Sequence, residues 1–305
     1  MSTTASAQIL RRASISRIAL IAWSAVLGLA AIDVVWSSYA GLCFVHCERA
    51  ALAVATMASV AAFYSATGRS SRITHMAHQS ALWIAFSLTG AIFTYLTSTI
   101  CLPLHDEQLH AVDVWLGFDW LAWYRILKTS PLLGALLHIA YFSLILQIIA
   151  SIIYFSYAGR PNRGYELWWG ALFSLVLTAI ISGLVPAQGA GMLLGEPGIP
   201  LESYLPHLQA LRDGSANRFA VETIQGIVTF PSYHTVLAVL LVYAYRTERQ
   251  LLWAIAALNI LMLLSIPPYG SHYLADMLAG AAVAFVAIVI TWLARRNWNR
   301  ELSAM

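Results

Sequence analysis

Residues 269–296 read Tyr269-Gly270-Ser271-His272-Tyr273-Leu274-Ala275-Asp276 followed by MLAGAAVAFVAIVITWLARR. The second part is long and apolar enough to enter a hydrocarbon layer about 30 Å thick. A histidine and an aspartate stand at its mouth. A second stretch repeats the arrangement: Phe230-Pro231-Ser232-Tyr233-His234 opens another apolar run. Ionisable groups at the edge of hydrocarbon are costly, so they point to function before structure. Two histidines, one backed by a carboxylate, can supply a nucleophile and a separate acid.

The rest of the composition agrees with a membrane chain. Hydrophobic residues make up 60% of 305 and charged residues 10%, against about 25% charged in a soluble domain. The net charge is only +3 and no basic block suggests nucleic acid as a partner. Arg11, Arg12 and Arg17 precede an apolar run that could pass for a signal peptide. The run continues to Ile32 without a small-x-small cleavage site, so it reads as a first spanning helix.

The expected fold is all-α: a polytopic transmembrane helical bundle of about eight spans. They fall at roughly 18–37, 50–66, 81–102, 132–157, 166–185, 231–245, 251–267 and 272–294. The loops then alternate sides. One set carries twelve arginines, among them Arg69, Arg72, Arg160, Arg163, Arg246, Arg249, Arg295, Arg296 and Arg300; the other carries Arg49, Arg125, Lys128, Arg212 and Arg218. This asymmetry predicts both termini in the cytoplasm and places His234 and His272 together on the extracytoplasmic face. Residues 1–80 form two N-terminal spans, 81–296 the catalytic core and 297–305 a cytoplasmic tail. Within the core, 103–130 reads as a helix lying in the interface. Residues 186–230, with glycines at 189, 191, 195, 198 and 214, read as an outer connection that lids the site. Arginine bias with one lysine suggests a bacterial inner membrane.

The chemistry follows from the spacing. His272 and Asp276 are four apart, hence on one helix face. The carboxylate can fix one imidazole nitrogen and leave the other as an oriented nucleophile, for which phosphorus is a fitting target. Pro231 suits a first helical turn. Ser232 and the amides after it form an anion cradle at the positive end of the helix, and His234 is placed to protonate a leaving oxygen. The run from Ser232 to Tyr245 would span about 21 Å at about 1.5 Å per residue, so His234 would meet a lipid phosphate inside the headgroup layer.

Pro-Ser-x-His followed by His-x-x-x-Asp resembles the type 2 phosphatidic acid phosphatase (PAP2) superfamily. The Gly-Ser-His-Tyr form is closer to the branch with inositol phosphorylceramide synthases; sphingomyelin synthases are more distant relatives. The resemblance implies that His272 becomes a phosphohistidine, Asp276 holds it, His234 acts as acid and then base, and Ser232 bonds the phosphate. It implies no metal and no cofactor. The chain departs from the phosphatase pattern: Ile266 stands where an arginine usually precedes the second histidine by six residues. The lysine motif followed seven residues later by Arg-Pro is also absent, since Arg160-Pro161 falls on the other face. Arg212 and Arg218 are the replacement cations available in the outer loop. Tyr269 and Tyr273 either line the pocket or belong to the interfacial belt.

The expected protein is therefore a membrane enzyme acting on a lipid phosphate, with water, or an alcohol or lipid headgroup, as acceptor. The alternative class is a carrier of anionic lipids or solutes, which predicts internal repeats and helices broken near the midplane; the sequence contains no repeat. Cys43, His46 and Cys47 lack the further ligands of a metal site and read as a loop with outward cysteines. His105, Asp106, His110 and Asp113 have no metal-ligand spacing. His75 and His78 read as solvated, and Asp33 and Gln147 as interhelical contacts.

Overall fold

The computed structural model describes residues 2–195 and 204–303, with side chains for 17–195 and 204–296. Gly198, residues 304–305 and the side chains of Arg11, Arg12 and Arg300 lie outside the described residues. The order is α1 (Ser2–Ala40), β1 (Cys43–Val45), α2 (Glu48–Thr67), α3 (Ser71–Ser98), α4 (Asp106–Trp115), α5 (Trp120–Thr129), α6 (Pro131–Phe142) and α7 (Leu144–Tyr157). Then come α8 (Pro161–Leu184), α9 (Ala190–Leu194), α10 (Leu205–Asp213), β2 (Arg218–Ala220), α11 (Tyr233–Ala244), α12 (Arg249–Gly270) and α13 (Leu274–Ser303). The protein is an all-α membrane bundle. Its described strands form one short parallel pair, Cys43 opposite Arg218.

Among the described residues six helices are long and apolar enough to cross a membrane: residues 17–40 of α1, α2, α3, α8, α12 and residues 274–296 of α13. The pair α6–α7, bent by 48° at Ser143, makes a seventh if it is counted as one broken span. The eighth expected span, α11, has only twelve residues, about 18 Å of helix. The starts of these helices are written in the sequence. Pro131 and Pro161 open α6 and α8, where a missing N–H costs nothing. Ser70 and Asp119 accept the Ile73 and Ala122 N–H groups to cap α3 and α5.

The main core lies between α3, α7, α8, α11 and α13, around fully buried Trp168, Ala171, Val236 and Ala284. Polar side chains tie helices together there, as they do where no water competes. Asn259 of α12 donates to Gln147 of α7 (2.8 Å), the expected interhelical contact. Asp33 behaves differently: it is buried and neither carboxylate oxygen has a hydrogen-bond partner. His78 corrects the sequence reading. Instead of a solvated loop residue it is part of α3, where Trp23 Nε1 donates to its Nε2 (2.9 Å) and Nδ1 meets the Tyr165 hydroxyl (2.9 Å). It thus links α1, α3 and α8, a role that its arginine-rich neighbours in sequence concealed.

Segment 103–130 also differs from expectation. It forms two helices, and α4 turns Asp106, Leu109 and Asp113 inward while Val114 and Trp115 are exposed. An interfacial helix would keep its charges on the wet side; here Glu107 does so, but the Asp106 and Asp113 carboxylates face the protein. Cys43, Cys47 and Cys101 are all unbonded thiols.

Candidate active site

α12 ends in Pro267, Pro268 and Gly270, and Ser271 turns the chain with a left-handed φ of 51°. His272 therefore stands in the turn, two residues ahead of α13, and not on the helix face that the four-residue spacing suggested. The pairing forms nonetheless. His272 Nδ1 lies 3.0 Å from Asp276 Oδ2, and the Tyr273 N–H donates to the same oxygen (2.9 Å). A side chain reaching back over the first turn to catch an amide and an imidazole is capping geometry. With Asp276 ionised, its carboxylate only accepts, so Nδ1 would carry the hydrogen and the ring's other nitrogen would keep its lone pair. His272 is 4% exposed and Asp276 0%, so the pair is held away from bulk water.

The start of α11 is joined directly to this turn. The Ser232 N–H donates to the Asp276 carbonyl (2.9 Å), and Ser232 Oγ accepts from Thr235 N–H (3.4 Å) as the helix cap. The approach is close enough to require glycine on α13: a methyl group at Gly280 would lie 2.5 Å from the Ser232 carbonyl oxygen. His234 is the second residue of α11 and stacks on Tyr141, with ring centres 4.6 Å apart and planes 15° apart. Tyr141 precedes the Ser143 bend of the α6–α7 pair. A methyl group at Gly270 would lie 2.9 Å from His272 Cδ2 and 3.0 Å from the Tyr141 hydroxyl oxygen. Tyr141 therefore borders both histidines.

Two further segments hold the turn in place. From α4, Asp113 accepts the N–H groups of Leu274 and Ala275 (2.9 Å each), capping α13 from another part of the chain. Burial raises the Asp113 carboxyl above its ordinary range, and those two N–H groups pull it back. Asp106 accepts from the Gln188 and Gly189 N–H groups and from the Tyr273 hydroxyl (3.1 Å). Trp120 Nε1 donates to the His272 carbonyl (3.1 Å). From the outer connection, Ala190 N–H donates to the Ser271 carbonyl and Gly191 N–H to Ser271 Oγ (2.7 Å each). Gly189, at φ 102°, sits where a side chain would strike the Ser271 carbonyl.

The structure thus brings Ser232, His234, His272 and Asp276 to one end of the bundle. Tyr269 is near them, donating to the Gly134 carbonyl (2.8 Å) with its ring 6.2 Å from that of Tyr141. Tyr273 is fully buried and bonded to Asp106, so it braces the turn and does not line an open pocket. Arg212 and Arg218 lie on α10 and β2, beside a different apolar cluster. Arg212 closes α10, with a buried Nη1 that has no hydrogen-bond partner. Arg218 is exposed on β2. The apolar cluster between those elements is built on Tyr95, Leu208 and Phe219, separate from the cluster around Trp120, Ala190 and Tyr273. Among the described residues no three His, Cys, Asp or Glu side chains converge as metal ligands.

A family model described as PAP2 superfamily matches residues 107–290. The chain belongs to the PAP2 superfamily. The matched region contains α5 to α12, both histidine motifs and Asp113 of α4, and begins just after Asp106. No curated protein and no solved structure matches the chain. Members of the PAP2 superfamily are generally phosphatases, and membership supports a phosphatase-like activity on lipid phosphates at that general level.

Sequence reasoning missed Asp106, Asp113, Trp120 and Tyr141. One signal could have found the first two: Asp106 and Asp113 are seven apart with Leu109 between them, so they share one face of α4. That puts two carboxylates on an apolar stripe, the mark of groups bonded inside the protein.

Proposed function

We propose that this PAP2 protein transfers a phosphoryl or phospho-headgroup from a lipid phosphate, diphosphate or phosphodiester through a phosphohistidine on His272. The supporting observation is the buried His272–Asp276 pair, tied to the start of α11 by Ser232. Asp276 keeps Nδ1 protonated, and the second ring nitrogen attacks phosphorus. The P–N bond forms as the P–O bond to the leaving group breaks, and His234 gives that oxygen its proton. In the second step His234 takes a proton from the acceptor hydroxyl, whose oxygen displaces His272 from phosphorus.

The phosphate oxygens in this reading meet the first amides of α11 and the Ser232 hydroxyl. Ser232 Oγ accepts from Thr235, which leaves its hydrogen free to donate to an anion. Catalysis by this set requires no metal or cofactor. Arg212 and Arg218 remain second-rank candidates for phosphate ligands. The acceptor reading leans toward an alcohol or headgroup, as in inositol phosphorylceramide synthases. It rests on the Gly-Ser-His-Tyr form and on Ile266 at the usual arginine position. Transfer to water is the alternative. We place the site on the extracytoplasmic face of a bacterial inner membrane, with both termini cytoplasmic, from the arginine distribution.

The carrier reading has one structural feature in its favour, the bent α6–α7 pair. The bend, however, follows Tyr141, whose ring stacks on His234, so it also serves the catalytic geometry. The test is turnover of a panel of lipid phosphates, diphosphates and phosphodiesters by purified protein, with and without inositol or glycerol, beside His272→Ala. A His272-dependent phosphodiester product is expected. Free phosphate alone would assign hydrolysis. No His272-dependent turnover of any substrate would overturn the enzyme reading.

A further inference from the structure

The opposite end of the bundle holds a second polar site that the catalytic reading does not use. The start of α8, the end of α11 and the last turns of α13 enclose a cleft of roughly 670 Å³. Arg163, Arg246, Arg295 and Arg296 line it, with Tyr243 and Trp292. Glu166 is the carboxylate behind them, and its side chain is only 7% exposed. Arg163 and Arg246 donate to it at 2.8 and 2.6 Å, and Arg295 approaches to 3.6 Å. Arg246 is further fixed by the Tyr243 carbonyl (2.7 Å) and lies over the Tyr243 ring. Arg296 lies over the Trp292 ring, 4.5 Å from its centre.

Among the described residues, four guanidinium groups line the cleft with one carboxylate, an excess of three positive charges. The other described acid at this end, Glu248, is taken by Arg160 and Tyr154. Membrane topology alone asks for arginines on a face. It does not ask for a buried carboxylate that orients three of them into one cleft, nor for aromatic walls that hold two guanidinium groups flat. Such planar, oriented groups match the oxygens of a phosphate. Ile288 and Val289 line the same cleft, and α13 exposes Phe285, Val286, Ile290 and Leu293 beside it. An occupant can therefore keep its phosphate on the arginines and its chains along an apolar helix surface. Along α13 the step from Asp276 to Arg295 is about 28 Å at about 1.5 Å per residue, so the cleft is not part of the reacting site.

We propose that this cleft binds a phosphate-bearing anion, the headgroup of an anionic phospholipid, through Arg295 and Arg296 at its mouth with Arg163 and Arg246 behind. Basic pockets between membrane helices are suited to such headgroups. The inference does not depend on the catalytic reading. It is tested by titrating full-length protein in neutral detergent with dioleoylphosphatidylglycerol, dioleoylphosphatidylcholine or inorganic phosphate, reading bound lipid by native mass spectrometry. Wild type should bind the phosphatidylglycerol at least tenfold more tightly than the phosphatidylcholine, and Arg295→Gln with Arg296→Gln should abolish that preference. Displacement of the lipid by millimolar inorganic phosphate would assign the arginines to a soluble phosphate anion. Equal binding of both lipids by wild type, or an unchanged preference in the double variant, would overturn the proposal. Arg296→Gln alone, which gives up only the Trp292 ring contact, should move affinity in the same direction and serves if the double variant misfolds.

Discussion

The starts of α11 and α13 lie side by side, yet they are finished in opposite ways. α13 has its first amides filled by the protein's own carboxylates: Asp113 takes Leu274 and Ala275, and Asp276 takes Tyr273. α11 is capped only by the neutral hydroxyl of Ser232. Both helices present a positive dipole end, but only that of α11 is without a resident anion. In the proposed mechanism the difference separates two tasks. The α13 end would fix the nucleophile and turn phosphate away from its amides. The α11 end would stay electrostatically open to a phosphate and carry the proposed acid, His234.

The comparison breaks most completely at His272. His272→Ala should lower turnover by about 10⁴-fold or more while the bundle stays folded, because the covalent step is removed; helical circular dichroism beside the turnover assay checks this. Asp276→Asn is next. It keeps the size of the side chain but no longer fixes the Nδ1–H tautomer, so kcat should fall by about 10³-fold with a smaller change in KM. Asp113→Asn keeps one acceptor for two amides and no charge at the α13 start. A loosened turn should lower kcat by about 10- to 100-fold, and if the open dipole then attracts phosphate, inorganic phosphate should inhibit this variant more strongly than wild type. Ser232→Ala should have the smallest effect: about 1 kcal/mol of stability from the lost cap, read as a lower Tm, and about a tenfold rise in KM for the lipid phosphate.

The sequence made the proposed catalytic end legible because its residues are adjacent to helix starts. Pro231, Ser232 and His234 lie within one turn, and His272 and Asp276 are close enough that either a helix or a capped turn brings them together. The supporting residues were hidden by distance along the chain. Asp113 meets Ala275, and Trp120 meets His272, across more than 150 residues, and no local pattern announces such contacts. Polarity also misled where burial reversed its meaning. The Asp106 and Asp113 carboxylates and the imidazole of His78 look solvated in sequence, but each is bonded inside the bundle. Arg212 and Arg218 entered the phosphate site by elimination of other cations, and the structure places them beside a different cluster. The eighth span shortened to α11, whose length the apolar run between Ser232 and Tyr245 already implied.

The central claim is that His272 carries the phosphorus. The most direct measurement is to quench turnover of a radiolabelled lipid phosphate after milliseconds and search the protein for an acid-labile, alkali-stable phosphorus adduct. The expected result is label on His272 in wild type, none in His272→Ala, and slower appearance in His234→Ala. Turnover that persists in His272→Ala, or a label that maps to another residue, would contradict the account.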